Sequence, residues 1–279
     1  MTRDLSKDNR FLSINTATVH AWDLKQAVEG IARAGIPALS VWRDKLQAVG
    51  VVEAARLIRR HGLAVSGLCR GGMFTGEGRG GLAKALEDNR RAVDEAASIA
   101  AACLVVVAGG LAPGARDIAD ARQIVREGLA ELLPYARAAG VALAIEPLHP
   151  MYAADRACIN TLAQANELCE TLGEGIGVAV DVYHVWWDPN LAAEIARAGK
   201  GRRILAFHIC DWLVPTTDLL LDRGMMGDGV IDIPRIRTLV EAAGYGGFCE
   251  VEIFSKNNWW KRPPEVVLAT AAERYRTVC

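Results

Sequence analysis

The sequence predicts an α/β chain folded as one closed (β/α)8 barrel, and three observations carry that expectation. A short apolar run, an amphipathic stretch at helical spacing and a glycine follow one another repeatedly along the chain. Eight such apolar runs are present, and several are apolar on both alternating faces, as in parallel strands covered by helices. No GxGxxG follows the first run, which removes the main support for an open dinucleotide-binding sheet. The 279 residues suffice for one eight-unit barrel, and no linker, charge block or low-complexity tract divides residues 1–279, so a single domain is expected.

The strands are expected, in order, at FLSINTATV, ALSVWRD, AVSGLCRG, CLVVVAGG, VALAIEP, IGVAVDVYH, ILAFHICDW and FCEVEIFS. Between them, Leu24, Ala27, Val28 and Ile31 form one helical stripe ending at Gly35. Ala54, Leu57 and Ile58 precede Gly62; Val125, Leu129, Leu132 and Leu133 precede Gly140; Leu162, Ala165, Cys169 and Leu172 precede Gly173; Ile236, Leu239, Val240 and Ala243 precede Gly244. Each glycine supplies the left-handed residue that closes a helix at little cost. Two long loops, Gly71 to Gly81 after the third strand and residues 213–231 after the seventh, leave strand C-termini, where barrel active sites form. The first lacks the GK[ST] ending of a phosphate loop and reads as a flexible loop.

Composition narrows the function classes. Half the residues are apolar (51%), enough for a large core, and the net charge of -1 argues against nucleic acid as the partner. The N-terminal MTRDLSKDNR has no apolar run and no segment is long and apolar enough for a membrane span, so neither export nor membrane insertion is expected. The seven cysteines form no CxxC pair and read as reduced, buried residues of a cytoplasmic protein.

Polar residues gather at the ends of four consecutive strands: Glu146 in LAIEP, Asp181 in VAVDVYH, His208 in AFHICD, and Glu250 or Glu252 in CEVEIF. A carboxylate or imidazole inside an apolar strand is costly unless it is paired or metal-bound. A barrel aims such residues at one point, where the acids repel one another, and a divalent cation relieves the repulsion. An oxygen-rich set with one nitrogen suits manganese, with magnesium or cobalt as alternatives, better than a structural zinc site. Glu250 and Glu252 lie on the same side of their strand, and spacing alone does not choose between them. Any one of these acids, taken alone, is as well explained by an ion pair at a strand end.

The order Glu, Asp-x-x-His, His, Glu on strands five to eight resembles the xylose-isomerase-like TIM barrels, a superfamily of sugar isomerases and epimerases, inosose isomerases and dehydratases, and endonuclease IV nucleases. The resemblance runs over nearly the whole chain and rests on IEP at 145–147, DVYH at 181–184, FHICD at 207–211, GDGVID at 227–232 and VEIFS at 251–255. It implies Glu146, Asp181, His208 and Glu252 as metal ligands and His184 and Arg223 as substrate contacts. It selects Glu252 as the ligand because the family's Glu precedes an apolar-Phe pair, here Ile253-Phe254, and leaves Glu250 one layer deeper, holding a ligand from behind.

The implied chemistry is proton transfer next to a carbonyl on a keto-sugar, with Glu146 and Glu252 as base and acid. His149, three residues beyond Glu146, is a candidate acid or base for a leaving group, or equally a plain loop histidine; in the first role it suits a lyase acting on a 3-oxo-glycoside or an inosose. Trp42, Trp212, Trp259 and Trp260 stand at strand ends, where rings stack on sugars or pack the rim, and Trp212 is taken as a substrate contact. His20 is expected to pack, His61 to end a helix, and Lys256 and Arg262 to be solvated. The nuclease alternative needs more than the five histidines present and an Asp-x-His that GDGVID lacks. Related enzymes are often homo-oligomers, and some lyases of this kind require a small second subunit.

Overall fold

A computed structural model describes residues 2–279. The eight expected strands are β1 (Leu12–Asn15), β2 (Ala38–Trp42), β3 (Ala64–Gly72), β4 (Leu104–Val107), β5 (Leu143–Ile145), β6 (Ile176–Asp181), β7 (Ile204–Ile209) and β10 (Cys249–Val251). All pair in parallel with their sequence neighbours, and β1 closes on β10. A two-residue antiparallel ribbon, β8 (Asp211–Trp212) with β9 (Arg223–Gly224), stands above β7. The paired strands are shorter than the apolar runs, because at several C-terminal ends the chain leaves the ladder to form the rim.

The helices are α1 (Leu24–Arg33), α2 (Arg43–Val49), α3 (Val51–Arg60), α4 (Leu82–Ser98), α5 (Ile118–Ala138), α6 (Leu162–Leu172), the single turn α7 (Val182–Val185), α8 (Leu191–Lys200), α9 (Ile233–Ala242) and α10 (Pro264–Thr277). Five of these contain the stripes read from sequence, and the glycines named for them all take positive φ. Side chains cap several N-termini: Asp23 and Gln26 form a reciprocal capping box, and Thr161 and Asp232 each accept a backbone N–H from the first turn. The 71–81 segment differs from expectation. Its start belongs to β3, and Phe74, fully buried, packs where a side chain at Gly128 of α5 would stand, so this part of the loop is anchored.

Three apolar clusters result, the smallest, Val107, Leu148, Tyr152 and Ala157, beside the barrel mouth. The large one lies between the strands and the helices. A small one inside the barrel is built from Cys69, Cys103, Val105, Ala144, Ala179 and Ala206. These side chains are small, and the space they leave is taken by a polar set from alternate positions of the other strands, Ser13, Asn15, Ser66 and Glu250, all buried.

Gly72 marks where β3 and β4 come closest. Its φ is +100° and a Cβ there would lie 1.9 Å from the Val107 carbonyl oxygen. Gly72→Ala is expected to cost about 3 kcal/mol or more, since both backbone strain and a backbone clash must be relieved; a urea midpoint equal to the parent's would count against this packing.

Candidate metal centre and substrate pocket

Register brings the polar strand ends together. Asp181 on β6 pairs with His208 on β7, and His208 pairs with Glu250 on β10. Glu146 follows β5 and Glu252 follows β10, each with its backbone N–H bonded to the preceding strand. Ligand atoms of Glu146, Asp181, His208 and Glu252 all lie within 4.8 Å of one another, so the four residues implied by sequence form one buried set able to hold a metal ion. Asp181 and His208 are fully buried, whereas Glu146 and Glu252 also line the pocket above them.

The donor set fits a divalent ion. His208 Nδ1 lies 2.9 Å from Glu146 Oε1, and its Nε2 faces Glu250 Oε1 at 3.6 Å with no hydrogen bond of its own. A ligating histidine is typically backed this way, one nitrogen toward the metal and the other toward a carboxylate. Burial pushes the imidazole's pKa down, yet Glu250, Glu146 and Glu252 outweigh it and hold the ring well above its ordinary value. Burial lifts Glu252 to about 8, with Glu146 and Asp181 adding to the rise against Arg223 and His208. Asp181 goes the other way: burial raises it, but Arg223, His184 and His208 bring it below the usual carboxylate range. Protons thus gather on an acid cluster that a cation would neutralise.

Glu250 sits one layer deeper than Glu252, as expected, and the Asn15 amide ties the two, donating to Glu250 Oε1 at 2.8 Å and to Glu252 Oε1 at 2.9 Å. The Ser66 hydroxyl donates to Glu250 Oε2 at 2.8 Å and lies 2.7 Å from the Ser13 hydroxyl. Sequence reading missed this support. Its signal was the alternation of Ser13 and Asn15 with Leu12 and Ile14, polar residues facing the barrel interior.

Arg223, carried by the ribbon, reaches over the cluster. Its Nη1 donates to Asp181 Oδ2 at 3.0 Å and to Glu252 Oε2 at 3.2 Å, and its guanidinium lies over the rings of Tyr183 (4.4 Å) and Phe254 (5.1 Å). His184 Nδ1 lies 3.2 Å from the His149 backbone nitrogen, and its Nε2 lies 3.2 Å from the donor Arg223 Nη2 and 3.6 Å from Asp181 Oδ2; the neutral ring accepts from one of the two donors. Burial drives the His184 pKa down to about 3. Arg223 and His184 both line the pocket.

His149 and Trp212 are placed differently. Their rings stack on each other at 4.9 Å beside the pocket, and neither lines it. Trp212 also packs on Tyr183 and Trp186. Trp42 does line the pocket, while Trp260 stacks on His20 at 4.0 Å. His61 follows the last turn of α3, and Lys256 and Arg262 are exposed. All seven cysteines are unpaired, six of them buried. Tyr152, Arg70 and Arg156 complete the pocket wall and were not foreseen; Arg156 lies in an irregular loop that offers no pattern to read.

The family model for the xylose isomerase-like TIM barrel matches residues 28–278. The chain belongs to that family. This xylose isomerase-like barrel is similar to an inosose isomerase of Halalkalibacterium halodurans, 26% identical over 149 residues, which are 52% of this chain and 50% of the relative. The chain thus matches about half the length of that curated relative. A solved protein of Sinorhizobium meliloti 1021 is 61% identical, with a TM-score of 0.95 over 96% of this chain and 98% of that one. The IOLI protein, solved with a bound zinc atom, shares the fold at 20% identity, with a TM-score of 0.80 over 94% of this chain and 95% of that one. Among the described residues no helix is long and apolar enough to cross a membrane.

The GDGVID segment has a structural cause. Buried Asp211 accepts backbone N–H groups from Gly227 and Gly229 on Oδ2 and from Ile231 and Trp212 on Oδ1, all at 2.9 Å. A Cβ at Gly229 would lie 2.1 Å from the Trp212 carbonyl oxygen, so only glycine fits there. Asp211 thereby anchors the segment that follows Arg223. Asp211→Ala is expected to lose about 3 kcal/mol of stability, the cost of leaving several buried donors unpaired, and to expose 213–231 to limited proteolysis. Cleavage at the parent rate would refute the anchoring role.

Proposed function

We propose that the protein is a divalent-metal-dependent isomerase or epimerase that moves a proton next to the carbonyl of a keto-sugar. The observation that carries this reading is the double placement of Glu146 and Glu252: both belong to the four-ligand set and both face the pocket, from staves separated by β6 and β7. Glu146, Asp181, His208 and Glu252 would hold the ion, and the oxygen-rich set favours manganese, with magnesium or cobalt as alternatives. A bound ion supplies Lewis-acid polarisation of the substrate carbonyl.

The protein's own groups do the rest. One of the two glutamates takes the proton from the carbon next to the carbonyl, and the other returns a proton from the opposite side. Delivery to the same carbon inverts it, and delivery to its neighbour moves the carbonyl. Arg223, fixed by Asp181 and the Tyr183 and Phe254 rings, is positioned to hold a substrate oxygen that gains negative charge. His184, held neutral by burial, lines the pocket beside Arg223. The side chain of His149 stacks on Trp212 outside the pocket lining, which favours the isomerase reading over the lyase one. Trp212 is assigned to backing this wall. Seven unpaired thiols favour a reducing, cytoplasmic setting.

Glu146→Gln is expected to lower deuterium exchange into keto-sugars roughly a thousandfold while leaving the near-UV dichroism unchanged, and a chelator should abolish exchange in the parent until manganese is restored. Proton NMR in deuterated water over a ketose panel measures both. Parent-like turnover in the variant, or exchange indifferent to metal removal, would refute the reading.

A further inference from the structure

The pocket holds more positive charge than a neutral sugar needs. Arg70 leaves the end of β3 and Arg156 leaves the loop after β5, and both line the same pocket as Glu146 and Arg223. Each is half-buried, and among the described residues neither makes a salt bridge or a side-chain hydrogen bond. Other arginines in comparable positions are partnered. Arg43, next to Arg70, is held by Asp88 and Glu95, and Arg237 by Glu241. Arg223 bonds to Asp181 and Glu252. Asp218 is close enough to feel Arg156 yet forms no ion pair with it. Burial lowers the pKa of Arg70, and Arg156 and Arg43 lower it further against Cys69 and Asp88, which raise it. Two half-buried guanidiniums in one pocket without ion-pair partners are unfavourable, and a ligand that brings a negative group to them removes the penalty.

We propose that the substrate is an acidic sugar whose carboxylate or phosphate is bound by Arg70 and Arg156. This rests on the keto-sugar reading above and narrows it: the carbonyl end meets Glu146 and Glu252, and the anion meets the two arginines. Guanidinium suits either group because its fork matches two oxygens of a carboxylate or a phosphate.

The test is calorimetric titration of the manganese-loaded protein with D-fructose, D-fructuronate and D-fructose 6-phosphate, which share one carbonyl arrangement and differ at the far end. At least one acidic sugar should bind about tenfold or more tightly than fructose, the usual weight of a charge-assisted hydrogen bond, and the two acidic arms separate carboxylate from phosphate. Arg156→Met and Arg70→Met should each remove most of that preference without weakening fructose, and Arg156→Lys should retain part of it. Equal affinity for fructose and both acids overturns the proposal, as does a preference unchanged in Arg156→Met, a loop variant that leaves the barrel strands untouched. Deuterium exchange on the same sugars keeps the two readings apart. Exchange without anion preference leaves the isomerase and removes the anion site. Arginine-dependent anion preference without exchange on any sugar leaves the anion site and removes the isomerase.

Discussion

Four carboxylates buried in one barrel mouth are the constraint around which the rest of this protein is arranged. Within ion-pair distance, Glu146, Asp181, Glu250 and Glu252 meet two charged partners, Arg223 and His208. Were all four ionised, this directly paired cluster would keep an excess of negative charge even with the imidazole protonated. Transferring uncompensated charge out of water is costly, so the cluster takes up protons, on His208 and on Glu252 with its pKa near 8. Such a set contributes little to stability compared with apolar residues of the same volume. Its arrangement makes sense as a site shaped for a cation.

The surrounding structure keeps that expensive cluster in place. Small residues at Cys69, Cys103, Ala144, Ala179 and Ala206 open the barrel interior; Ser66 and Asn15 fill it with hydrogen bonds to Glu250 and Glu252, and Ser13 bonds to Ser66. Above, Arg223 is gripped by two rings, two carboxylates and its own backbone bond to Phe254. The ribbon that carries Arg223 is pinned by the four N–H groups gathered on Asp211. One acid thus works through backbone geometry, four work through charge, and the two jobs lie on adjoining segments of the chain.

The fold was largely legible in the sequence because its signals are local. Apolar runs, helical stripes and terminal glycines each report on a few neighbouring residues, and all eight staves stand where those patterns put them. The four ligand candidates were legible for a related reason: an acid or imidazole in an apolar strand is conspicuous, and barrel topology converges strand ends. What sequence did not reveal was non-local. Asp211 reads as one more acid until the loop folds back onto it. Arg70 and Arg156 come from strand three and the loop after strand five, and only the closed barrel brings them into one pocket. His149 and Trp212 stand at the right strand ends, but each satisfies its ring on the other, and no pattern encodes that pairing.

That pairing bears on how the pocket wall divides its work. A substrate-stacking ring needs a free face toward the cavity, and Trp212 gives its faces to His149, Tyr183 and Trp186. The stack backs His184, whose ring packs edge-on against Tyr152 and Tyr183 and lies 3.2 Å from the His149 backbone nitrogen. A neutral imidazole is useful in a site only if its ring is held in one orientation, and a rigid aromatic wall is one way to hold it. Trp42 and Phe254, edge to face at 5.4 Å, instead turn surface toward the pocket and give it an apolar wall. The aromatic residues at this rim therefore fall into two groups, one that shapes the cavity and one that holds the polar groups still, and it is the second that lets a cluster of repelling charges keep a single geometry.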